Sequence, residues 1–82
     1  MNAKYPTLDE ILAQARPANQ KRMAGEPLSN KEVLDTLSQL DTATTMAMME
    51  NHPKEKQIHA AAKAFAIMAK ERKLYFSGME KY

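Results

Sequence analysis

His52 and His59 stand seven residues apart, with Glu55 and Lys56 between them. On a helix that spacing places both imidazoles on one face, which is how a chain begins to assemble a metal site. Zinc-type coordination needs three or four converging ligands, and here a lysine intrudes and the chain has no cysteine. No metal is therefore expected. His52 reads instead as a group serving the start of a helix, and His59 as a solvated one. The absence of cysteine also removes disulfide and thiol chemistry.

The remaining residues give catalysis little to work with. The two glycines, Gly25 and Gly78, stand alone, so no glycine-rich phosphate loop is present. No GxSxG or paired-acid arrangement occurs. Most carboxylates fall at expected helix starts or on solvent faces, where caps and dipoles account for them. Neither an enzyme nor a cofactor is expected.

Charge is more informative. The net charge is only +2, yet residues 53–82 carry seven bases against three acids, while residues 29–52 carry one base against four acids. Lys56, Lys63, Lys70 and Lys73 form a basic line at helical spacing, which a phosphate backbone could follow. Glu55, Glu71 and Glu80 dilute it, and no arginine cluster accompanies it. A solvated helix face is the commoner meaning of such a stripe, and the acidic and basic segments can attract each other within one fold. A small nucleic-acid-binding regulator using this face is the alternative function.

Met46, Met48 and Met49 crowd into four positions and point in different directions. Met48 is expected to join a Val33–Leu37–Leu40 seam, with Met49 to one side and Met46 facing away. Met46 and Met49 are expected first to pack under the first helix or against a second subunit; a flexible thioether also adapts to varied partners, so both are candidate contacts. A second apolar line, Ala60, Ala64, Ile67 and Leu74, runs beside the lysines, and Tyr75 and Phe76 follow as aromatic anchors. The candidate protein interface is thus Met46, Met49, Ile67, Leu74, Tyr75 and Phe76.

The elements that must position these groups read as helices throughout. Thr7 and Glu10 form one capping box and Ser29 and Glu32 another. Leu8, Ile11, Leu12 and Ala15 give the first helix an apolar face, expected over 8–16 and stopped or interrupted by Pro17. Residues 17–29 read mainly as a connector, although a helical turn closed by Gly25 is compatible with them. The second helix is expected over 30–51, with Val33, Leu37, Leu40, Thr44 and Ala47 as its seam and Asn51 in the left-handed conformation at its end. The third is expected over 53–77, from Pro53 to a stop at Gly78, burying Ile58, Phe65 and Met68. A short break at Asn51–Pro53 makes the last two an antiparallel αα-hairpin.

The expected fold is therefore all-α, one domain over residues 1–82: a short N-terminal helix, then the hairpin, with a dimeric helical bundle as its assembled form. Only 20 of the 82 residues are Leu, Ile, Val, Met or Phe, and 13 are alanine. So thin a core is expected to leave apolar surface for another molecule. Met1 is followed by polar residues and no apolar run is long enough to span a bilayer, so a soluble, cytoplasmic protein without a leader is expected. The architecture resembles that of small bacterial, plasmid or phage accessory proteins. That likeness implies an adaptor, regulator or inhibitor of a larger machine, binding a host complex and a second copy of itself as a homodimer.

Overall fold

The computed structural model describes residues 5–82. The expectation about a leader at Met1 lies outside those residues. Three α-helices follow in order: α1 Leu8–Met23, α2 Asn30–Met49 and α3 Glu55–Glu71, with a 3₁₀ turn at Met79–Lys81. Among the described residues there is no strand.

Both expected capping boxes form. The Glu10 amide donates to Thr7 Oγ1 (3.2 Å) while the Thr7 amide donates to Glu10 Oε1 (2.7 Å). At α2 the Glu32 amide donates to Ser29 Oγ (3.0 Å) and the Ser29 amide to Glu32 Oε1 (2.8 Å). Glu32 also accepts from Lys21 Nζ at 2.9 Å. The Ser29 amide first, and then Lys21, hold its carboxyl down at about 2.

Helix α1 does not stop at Pro17, as the sequence suggests, but runs on to Met23 with the proline inside it. Two features outweigh the lost hydrogen bond. Ala18, one residue on, is buried in the main core, and Gly25 at φ 73° closes the helix with its amide donating to the Arg22 carbonyl and that of Glu26 to Lys21. The interior proline still leaves the Ala13 carbonyl without its helical donor. Pro17→Ala is therefore expected to raise the unfolding free energy by about 1–2 kcal/mol, the helix gain less the unfolded-chain entropy it restores. A urea titration measures it.

The other ends are corrected too. Helix α2 finishes at Met49 rather than 51, with Asn51 at φ 53° as expected and the His52 amide donating to the Ala47 carbonyl at 2.9 Å. The α3 helix starts at Glu55 rather than Pro53 and ends at Glu71, six residues short of the expected 77. Its stop is Lys73, at φ 58°, with the Leu74 amide donating to the Ala69 carbonyl at 2.8 Å. That is a Schellman-type closure, in which the apolar residue after the left-handed one turns back onto the core. Gly78 serves a different purpose: a Cβ there would lie 2.7 Å from the Phe76 ring and 3.3 Å from Asp41 Oδ2.

The main core gathers Val33, Leu37 and Leu40 of α2 with Ala62, Phe65, Ala66 and Ala69 of α3, and Ala15 and Ala18 of α1. A smaller cluster joins Leu8 and Ile11 to Ala43, Ala47 and Ile58. Five alanines, at 43, 47, 62, 66 and 69, are fully buried, so backbones approach closely where bulky side chains are scarce. Arg72 stands just past the end of α3, as its cap residue. Its guanidinium donates to the Leu28 carbonyl (2.8 Å) and Asn30 Oδ1 (3.0 Å), which fastens the end of α3 to the start of α2.

Candidate functional site

The expected contact residues separate into two sets. Met49, Ile67 and Tyr75 are 79%, 55% and 72% exposed. Met46, Leu74 and Phe76 are half-buried: Met46 packs on the smaller cluster, and Leu74 and Phe76 on the main core. The methionine expectation is reversed at Met48, which is 59% exposed instead of joining the seam. Met46 packs on the cluster that Leu8 and Ile11 of α1 form with Ala43 and Ala47, one of the two places expected for it. The second apolar line of α3 is broken as well. It ends with Ile67, which sits between Lys63, Lys70 and Glu71 on the helix surface, because Leu74 lies beyond the helix end.

Lys56, Lys63 and Lys70 are exposed on one face of α3. Lys73 is exposed but lies past the helix, and Lys70 Nζ donates to the Tyr82 carbonyl. The expected attraction between the acidic segment 29–52 and the basic segment 53–82 appears in one ion pair, Lys81–Asp41, made by the tail and not by α3. The other ion pairs among the described residues are Lys21–Glu32 and Lys31–Asp35.

His52 Nδ1 accepts the Lys54 amide at 3.1 Å, so it acts at the start of α3. His59 is exposed, its ring centroid 6.1 Å from that of Tyr82. Among the described residues no group of three or more His, Asp or Glu side chains is gathered as a metal would require.

What sequence reading missed is the tail, residues 72–82. It folds back so that Met79 is buried in the main core and Tyr82 reaches α2. The Tyr82 hydroxyl donates to Asp41 Oδ1 at 2.6 Å, and Lys81 Nζ pairs with the same oxygen at 2.9 Å. Burial first, then the Asp41 carboxylate, push the Tyr82 hydroxyl well above its ordinary 10. Since the folded value is the raised one, the contact contributes fully below pH 10 and is lost as pH climbs through the raised value. A tyrosinate absorbance titration is expected to show a late component that Tyr82→Phe removes.

A furrow also opens between α1 and α3 over Leu40, lined by Leu12, Ala15, Ile58 and Ala61, with Arg16 and Lys54 on opposite walls. Among the described residues no helix is long and apolar enough to cross a membrane. No family model matches this chain, and no curated protein or solved structure shows a significant similarity to it.

Proposed function

We propose that this chain is a small protein–protein interaction module, that α2 and α3 form an antiparallel αα-hairpin within it, and that two copies associate into a dimeric helical bundle. The observation that carries the reading is the apolar bulk left in solvent. Met48, Met49, Ile67 and Tyr75 are all more than half exposed, and Met23 is 73% exposed, in a chain with few large apolar side chains. Single exposed residues are ordinary, but adjacent methionines at a helix end form an adaptable contact point. The hairpin is supported at both ends: Ala43 and Ala47 cluster with Ile58, and Arg72 reaches Leu28 and Asn30.

Molar mass by light scattering tests self-association. The wild type is expected to move toward the dimer as concentration rises, and Met49→Asp with Ile67→Asp to remain a monomer with an unchanged circular dichroism spectrum. A wild type that stays monomeric throughout removes self-association from the proposal. For a foreign partner, affinity capture from the native cell is run with the double variant alongside, and proteins held equally by both speak against these contacts.

The alternative is nucleic-acid binding through α3, and its support is the exposed line of Lys56, Lys63 and Lys70. Salt-sensitive binding lost on Lys56→Glu with Lys63→Glu would favour it. Absence of binding at low ionic strength would dismiss it.

A further inference from the structure

Helices α1 and α3 both pack along α2 and scarcely on each other. The furrow between them holds a cleft of about 210 Å³, floored by Leu12, Leu40, Ile58 and Ala61. Drug-sized ligands occupy sites of roughly 300–1,000 Å³, whereas an apolar cavity of about 150 Å³ already holds benzene. The cleft therefore suits one bulky side chain. Its walls carry Arg16 and Lys54, and no acidic residue lines it. Among the described residues neither cation has an ion-pair partner.

From this charge pattern we infer that the furrow receives an acidic amphipathic helix of a partner protein. One aromatic or aliphatic anchor fills the cleft, and flanking carboxylates meet Arg16 and Lys54. A helix laid there would complete a fourfold packing around the Leu40 floor, in the helix-in-groove mode of recognition. The apolar floor favours a side chain over a phosphate, since a phosphate has nothing to bury against it. The inference rests on the interaction reading and specifies the partner's chemistry.

The probes are two labelled 20-residue peptides with the same alanine–leucine pattern and a central phenylalanine, one with glutamate and the other with lysine at every polar position. Fluorescence anisotropy with the full chain is expected to show the glutamate peptide binding at least tenfold more tightly. Amide shifts in the NMR spectrum should centre on Leu12, Leu40, Ile58 and Ala61. Arg16→Glu with Lys54→Glu, both exposed positions that leave the core untouched, is expected to weaken that peptide at least tenfold while circular dichroism stays unchanged. No binding of either peptide, or equal binding of both, overturns the inference. So does a DNA oligonucleotide that gives the same shifts at lower concentration, or groove shifts that grow with protein concentration alone, which would assign the furrow to phosphate or to a second copy. Peptide shifts confined to Met49, Ile67 and Tyr75 overturn the groove assignment while leaving the interaction reading in place. Light scattering of the Met49→Asp, Ile67→Asp variant tests that reading separately.

Discussion

Replacing Phe65 by alanine is expected to lower the unfolding free energy by about 3–5 kcal/mol. Phe65 is wholly buried and is the largest of the fully buried side chains, ahead of Leu37 and Val33. Its neighbours in the main core include Ala62, Ala66 and Ala69, whose methyl groups cannot reach into the space a lost ring leaves. The Arg22 guanidinium, 5.8 Å from the ring centroid, loses its aromatic platform as well. At roughly 0.05–0.15 kcal/mol per residue, an 82-residue domain holds only about 4–12 kcal/mol in all. The variant should therefore be partly unfolded at physiological temperature. A urea titration checks this, with Phe65→Leu as the milder control at under about 1.5 kcal/mol. A loss below that figure for the alanine variant would mean that the ring is not the centre of the fold.

Met79→Ala is the second large effect, about 2–4 kcal/mol. Met79 is 7% exposed in the main core, and the Phe76 amide contacts its sulfur at 3.2 Å. It therefore anchors the whole tail, with Asp41 holding the far end through Tyr82 and Lys81. Truncating it should also free residues 72–82 for digestion by carboxypeptidase under conditions where α1–α3 stay folded. Unchanged stability together with unchanged digestion would show that the tail needs no such anchor.

How far the sequence reveals all this depends on the range of the interaction. Two of the helix starts are written locally: Thr7 with Glu10 and Ser29 with Glu32 are three residues apart, and both pairs close as their chemistry requires, whereas α3 has no such pair and starts two residues after Pro53. The core positions Val33, Leu37, Leu40, Ile58 and Phe65 follow from the helical period and are buried, whereas Met68, expected with them, is only half-buried against the main core. Helix ends were less legible. Pro17 is a local stop signal overruled by burial of Ala18, and Lys73 is not a residue type that announces a left-handed turn. Tyr75 and Phe76 continue the apolar period of α3, so periodicity alone extends the helix across a bend. The Tyr82–Asp41 contact joins residues 41 apart, and the α1–α3 furrow exists only once both helices are docked on α2. Neither leaves a local trace.

The division of the interior into two unequal clusters has a dynamic consequence. The smaller one rests on Leu8, Ile11 and Ile58 with two alanines, and nothing as large as Phe65 supports it. Sub-global opening should begin there, with the first turns of α1 and the last of α2 coming apart before the region around Phe65. Amide hydrogen exchange would then rank these helices by position along their length rather than as whole units. The fastest protected amides would lie beside Ala43 and Ala47 and the slowest beside Leu37.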